Sequence, residues 1–259
     1  MLQLQFIIST TLPFIPHRVS QTLEIVDVFG DSYVNVDTTT PEGIIHASSM
    51  KLAQSGLADV IFTPMVYEPT QLFLPPEAGY HGYMFTIIRH PIERAVHMFY
   101  YLKEATWDPL YNRDISGMTI EQYAHSPYAE NNWLTRILSN HTGGTITDHH
   151  IQLAKETLRR KFLVGIFSNM KFSLKRFEKR FSWYIGDEEA SKCEQSIIEK
   201  AMAKYKKIPM LEEGSLSWKL LERRNKFDME VYEFAQTLFL NQKSKEYQDY
   251  EIFTGEGDV

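Results

Sequence analysis

Phe85-Thr86-Ile87-Ile88-Arg89-His90-Pro91-Ile92-Glu93-Arg94-Ala95-Val96-His97-Met98-Phe99-Tyr100-Tyr101 reads as a strand that turns into a helix. Residues 83–88 are few, β-branched and aromatic, as a buried strand requires. Pro91 stands where a first helical position tolerates a missing N–H. Ala95, Val96, Phe99, Tyr100 and Leu102 then recur at helical spacing and make one apolar face. Arg89 sits at the corner. In an open parallel sheet, ligands bind beyond the carboxyl ends of strands, where helix N-termini turn free N–H groups toward anions. A guanidinium there adds a planar, permanently charged fork that fits phosphate oxygens. The corner is a candidate anion site, and His97, eight residues on, is near enough to share one phosphate with Arg89. The bland alternative is an ion pair at a sheet edge between Arg89 and Glu93 or Glu104.

Outward from this corner, residues 33–37 (YVNVD), 59–63 (DVIFT) and 162–166 (FLVGI) are three further strand candidates. Helical patterns cover 43–55, 91–105, 130–138, 148–161, 170–184, 189–206 and 215–241. Strands alternating with helices of this length imply crossover connections, hence an α/β class with a mainly parallel sheet flanked by helices. Beyond residue 166 the pattern is helix and loop, read as a helical carboxyl-terminal cap on one domain spanning 1–253, with a frayed tail at 254–259. No internal repeat or low-complexity tract interrupts it.

The 259 residues are 43% hydrophobic, 23% charged and 13% aromatic, a globular composition that excludes disordered, collagen-like and coiled-coil chains. Lys and Arg total 27 against 33 Asp and Glu, a net charge of −6. That balance argues against nucleic acid as a partner while leaving room for a local basic pocket. The single cysteine, Cys193, closes no intrachain disulfide and makes no cysteine-based zinc site. No stretch approaches the roughly 18 apolar residues of a transmembrane segment. The opening MLQLQFIISTTLPFIP lacks a basic start and is interrupted by Pro13 and Pro16, so it makes a poor signal peptide.

The Arg89 segment resembles the 3′-phosphate-binding signature of sulfotransferases, in which an Arg closing a strand and a Ser eight positions later hold the 3′-phosphate of 3′-phosphoadenylyl sulfate. Its spelling is most similar to the carbohydrate-type, heparan sulfate 2-O-sulfotransferase-like branch. The resemblance continues through Asn131-Asn132-Trp133-Leu134-Thr135-Arg136-Ile137-Leu138, Leu158 with Phe162-Leu163-Val164-Gly165-Ile166, and Asn225-Lys226-Phe227-Asp228 with Tyr232, so that it covers roughly residues 55–242. It implies a P-loop-NTPase-like sulfotransferase fold and transfer of a sulfuryl group to a hydroxyl of a carbohydrate-like acceptor. Arg89, His97, Asn132 and Arg136 would bind the small-nucleotide co-substrate. A general base is also required. Glu68, after the second strand candidate, is the first choice, followed by His46, His81 and His90. Family members work in the Golgi lumen behind a membrane anchor, and no anchor is written here.

Two departures stand against the pattern. His97 occupies the place of the family's Ser, so an imidazole N–H replaces a compact hydroxyl, and weaker nucleotide binding is expected. No Lys- and Gly/Thr-containing loop for the 5′-phosphosulfate precedes Arg89. The lone Gly143-Gly144-Thr145 follows Arg89 and reads as a turn between helices. Because the other blocks run in order, a chain lacking its amino-terminal piece is favoured over a degenerate relative, with slow turnover or none by this chain alone. The competing readings are a nucleotide kinase of related architecture and a degenerate, non-catalytic nucleotide-binding or interaction domain.

The remaining motifs have bland uses. Asp37-Thr38-Thr39-Thr40 before Pro41 suits a helix cap better than a ligand contact. Asn132 and Arg136, one helical turn apart, suit a ligand or an interhelical hydrogen bond equally well. Lys171, Lys175, Arg176, Lys179 and Arg180 form either a solvated face or a docking strip for an anionic glycan. His149-His150 lacks metal-ligand spacing with carboxylates, so no metal is expected. Asn140-His141-Thr142 is an N-glycosylation sequon, meaningful only in a secretory lumen. The four tryptophans read as core and lid anchors.

Overall fold

The chain divides into two compact units, Met1–Gly82 and Tyr83–Val259, and a computed structural model describes residues 21–28, 31–73, 82–108, 110–183, 188–205 and 207–253. The boundary follows Pro75, Pro76 and Gly79 in the sequence, turn-forming residues to which the reading of 1–253 as one domain assigns no role.

In the first unit, strands β1 (Ile25–Val28) and β2 (Asp31–Val34) pair antiparallel, with Ile25 opposite Val34 and Val28 opposite Asp31. Two β-branched runs with Gly30 between them carry a hairpin signal. Asn35 fastens the open end: its Oδ1 accepts the Glu24 N–H at 2.8 Å and its Nδ2 donates to the Thr22 carbonyl at 3.0 Å. Helices α1 (Pro41–Ser49) and α2 (Leu52–Ser55) follow. Ile44, Ala47 and Leu52 bury against Leu72 of a 3₁₀ segment, Glu68–Phe73. The strand expected at 33–37 thus lies earlier and runs antiparallel, and residues 59–63 form no strand. An apolar run becomes a strand only beside an edge that takes its backbone groups. Here the Phe62 carbonyl accepts the Thr38 hydroxyl at 2.6 Å, and Ile61 packs on the helical core.

In the second unit, β3 (Met84–Ile88) and β4 (Phe162–Ile166) pair parallel and in register, Met84 with Phe162 through Ile88 with Ile166. The rest is mainly helical. Between the strands lie α3 (Pro91–Glu104), α4 (Arg113–Ser116), α5 (Ile120–His125), α6 (Trp133–Ser139) and α7 (Asp148–Lys161). After β4 come a 3₁₀ turn (Phe167–Asn169), α8 (Met170–Phe181), α9 (Glu188–Tyr205), α10 (Leu216–Arg224) and α11 (Lys226–Phe253). The protein is therefore mixed α/β and mostly helical. Among the described residues, one parallel pair and one antiparallel hairpin stand in place of the mainly parallel four-strand sheet.

Helix α3 buries the face the sequence marks: Ile92, Ala95, Val96, Met98, Phe99 and Leu102 are all buried. The outward edge of β4 is closed by side chains. The Phe162 N–H donates to the Leu158 carbonyl, and Gln242 bridges the Phe162 carbonyl and the Val164 N–H at 2.8 and 2.9 Å. Arg176 donates to the Val164 carbonyl at 3.0 Å, and the Ser173 hydroxyl exchanges hydrogen bonds with the Ile166 N–H and carbonyl at 2.9 and 3.1 Å. Arg176 is also buried over the Phe239 ring, so it leaves the exposed basic face of α8 to Lys171, Lys175, Lys179 and Arg180. Gly165 lets α8 approach: a Cβ there would lie 2.8 Å from Phe177 Cζ and 2.9 Å from Ser173 Cβ. None of the four tryptophans is buried. Trp107 is 64% exposed and Trp133 39%, so neither anchors the core. Among the described residues no helix is long and apolar enough to cross a membrane.

Candidate anion site at the carboxyl end of the parallel pair

Because Ile88 lies opposite Ile166, the next residues on the two strands, Arg89 and Phe167, emerge side by side. The guanidinium carbon of Arg89 lies 3.9 Å from the centre of the Phe167 ring and 4.9 Å from that of Tyr205. These are cation–π distances. Among the described residues Arg89 makes no hydrogen bond and no ion pair. Burial lowers its pKa, with the charge of Glu93 acting in the opposite sense. A guanidinium remains protonated under such a shift.

Among the described residues Arg89 forms the sheet-edge ion pair with neither Glu93 nor Glu104. Glu93 Oε2 accepts the Tyr205 hydroxyl at 2.8 Å. Arg94 pairs with Glu130 and lies 3.6 Å over the Trp133 ring. His97 stacks on Tyr205, with ring centres 5.5 Å apart and planes 8° from parallel. Arg89 and His97 are thus brought together against one ring, and Tyr205 is the residue they share. His90 caps α3, its Nδ1 accepting the Ile92 N–H at 3.3 Å, with the rings of Trp218 and Tyr232 at 5.3 and 5.2 Å. Burial pushes its pKa down, which suits an acceptor nitrogen. Pro91 has no N–H and that of Ile92 is taken, so the guanidinium, more than the helix end, supplies anion recognition.

Asn132 and Arg136 have different surroundings. Asn132 adopts a left-handed backbone, φ 53°, which Asn tolerates better than most residues. Its Oδ1 accepts the N–H groups of Phe227 and Asp228 at 2.8 and 3.2 Å. Its Nδ2 donates to Asn131 Oδ1 and the Arg224 carbonyl, both at 2.8 Å. Its own N–H donates to Asn225 Oδ1 at 3.0 Å. Asp228 returns the favour to α6: its carboxylate accepts the Leu134 N–H, the Thr135 N–H and the Thr135 hydroxyl at 2.9, 2.7 and 2.6 Å. Each helix start is capped by a side chain from the other. Burial raises the Asp228 pKa to about 6, although the Thr135 and Leu134 donors pull it down. Arg136 donates to the carbonyls of Asn131, His141 and Gly144 and so clamps the turn that Gly143 and Gly144 make between α6 and α7. Of the alternatives open for this pair, the interhelical hydrogen bond is the one Asn132 makes.

Compared with known proteins, the chain matches no family model, no curated protein and no solved structure.

Glu68 belongs to the first unit, where it opens the 3₁₀ segment and its Oε2 accepts the Tyr67 N–H at 3.3 Å. Nearby in sequence, Thr40 caps α1 by accepting the Gly43 N–H at 3.1 Å. Asp37 accepts the N–H and hydroxyl of Thr39 at 2.8 and 2.6 Å, so the Asp-Thr-Thr-Thr stretch works as a cap. His141 and His150 stack at 3.9 Å, and among the described residues no three His, Cys, Asp or Glu side chains are placed to hold a metal. Phe167 and Tyr205 are the site residues that sequence reading passed over. Phe167 was within reach, since it directly follows a strand candidate, but only once the pairing register with β3 is assigned. Nothing in the spacing marks Tyr205.

Proposed function

We propose that Arg89 is the phosphate-binding residue of a sulfotransferase-like domain that takes 3′-phosphoadenylyl sulfate as co-substrate and transfers its sulfuryl group to a hydroxyl of a carbohydrate-like acceptor. The observation that carries this reading is a guanidinium at the carboxyl end of a parallel strand pair, beside the Phe167 and Tyr205 rings and, among the described residues, without a hydrogen bond from the chain. A cation so placed costs desolvation, and an external anion offsets that cost. Among the described residues the Arg89 N–H groups bond to nothing in the chain, so they remain available for paired hydrogen bonds to a phosphate. In this reading Arg89 holds the 3′-phosphate, His97 occupies the partner position, and in-line displacement at sulfur proceeds on a P-loop-NTPase-like sulfotransferase fold without a metal. Glu68 is the proposed general base, and a Glu68→Gln protein with undiminished turnover removes it from that role.

A second reading, nucleotide binding without transfer, is favoured by His97. Where the resemblance calls for a hydroxyl donor, this ring lies flat on Tyr205. Calorimetry with adenosine 3′,5′-bisphosphate tests what the two readings share. Binding by the wild type should weaken by about tenfold or more in Arg89→Gln, since a hydrogen bond to a charged group contributes roughly 1.5–3 kcal/mol. A wild type that binds no nucleotide refutes both. Passage of radiolabelled sulfate from the activated donor to a hydroxyl acceptor then separates transfer from binding alone.

A further inference from the structure

We propose that α9 is a lid over Arg89, latched by Tyr205 and tightened when Arg89 takes its anion. The second half of this statement rests on the reading of Arg89 given above; the latch does not. Helix α9 runs for 18 residues, yet none of its described side chains is buried. Its last residue makes the contacts to the Arg89 corner. Tyr205 donates its hydroxyl to Glu93, lies flat on His97, stands over the Arg89 guanidinium and meets the Phe167 ring edge-on at 5.0 Å. Farther up the helix, Glu194 meets Glu178 of α8, and its proximity raises the Glu178 pKa after burial does. A helix with no fully buried described side chain opens at a cost well below that of global unfolding, and the Tyr205 contacts are part of that cost.

The direction of coupling follows from where Tyr205 sits. Its ring excludes water from one face of the guanidinium while leaving the cation without a hydrogen-bonded counter-charge. An anion on the N–H edge supplies that charge, and the pair is stronger under the closed ring than in open water. Whatever closure does for anion affinity, the anion must do for closure.

Hydrogen exchange along the full chain tests both halves. Without ligand, Tyr205→Ala should speed exchange of the 188–205 amides severalfold over wild type while α7 stays unchanged. Tyr205→Phe, which keeps the ring and loses the bond to Glu93, should fall between. Saturating adenosine 3′,5′-bisphosphate should slow the same amides in the wild type and not in Tyr205→Ala. If neither variant alters exchange at 188–205 without ligand, the latch is overturned whatever the nucleotide does. A nucleotide that binds by calorimetry yet leaves those amides unchanged overturns the coupling. Absence of nucleotide binding overturns the Arg89 reading and the coupling with it, while the ligand-free comparison still decides the latch.

Discussion

At the junction of α6 and α11 the side-chain amide of Asn132 meets four partners inside the chain, whereas at the carboxyl end of the β3–β4 pair the Arg89 guanidinium lies beside two aromatic rings and, among the described residues, makes no hydrogen bond. Both residues belong to the segments that resemble one family, and a motif match alone does not tell them apart. Their surroundings do. A polar group with all its partners internal contributes to holding the chain together, and removing it strands the donors it served. A desolvated cation without such partners is a net cost to the folded state unless something outside the chain joins it. Part of the resemblance is thus structural mortar, and part, in the reading proposed above, is a place for a ligand.

The contrast breaks or sharpens under substitution. The largest effect is expected from Asn132→Ala, which leaves the Phe227 and Asp228 N–H groups without an acceptor and puts Ala in a left-handed conformation. About 3–5 kcal/mol should be lost in urea unfolding. Next comes the pH dependence of Asp228. Its folded pKa, about 6, lies above the ordinary value of 3.8, so between those values the native state holds the extra proton. The stability this group contributes is complete below pH 4 and disappears as pH rises through 6. The difference between wild type and Asp228→Asn in urea midpoint should therefore drift over that window, by up to about 3 kcal/mol, and be flat above it. A flat difference throughout means the three donors hold the carboxylate ionised. Gly165→Ala forces α8 off β4 and should cost about 1–3 kcal/mol. The smallest stability effect belongs to Arg89→Gln, under about 1 kcal/mol, because two exposed-type cation–π contacts are exchanged for relief of desolvation. If Arg89→Gln destabilises as much as Asn132→Ala, Arg89 is a scaffold residue and the distinction fails.

The corner at 83–105 was legible because two local signals coincide there: the apolar period changes from strand to helix, and Pro91 fixes where the helix begins. Helix α7, Asp148–Lys161, was legible to the residue for a similar reason, with Thr147 before it and β-branched Phe162–Ile166 neighbours after it. The 59–63 run was misread because an apolar pentapeptide looks the same in a strand and in a loop packed on a helix. What differs is the partner of its carbonyls, and that partner, Thr38, is remote in sequence. The same limit applies to Asn132 and Arg136. Helical spacing correctly places them one turn apart but says nothing of what they face, and all the partners of the Asn132 side chain except Asn131 lie more than ninety residues away. The Arg89 position was readable. The rings that cover it come from two other elements, and only the pairing register and the path of α9 bring them there.

The side chains that finish β4 give this small sheet a direction. Gln242, Arg176 and Ser173 occupy the sites where another ribbon would bind, and stripping Arg176 of its carbonyl acceptors would strand a buried cation. Foreign strands are turned away on that flank by side chains, one of them the charged Arg176, that already occupy its backbone groups. A further strand joining this pair would have to dock elsewhere than on this flank of β4.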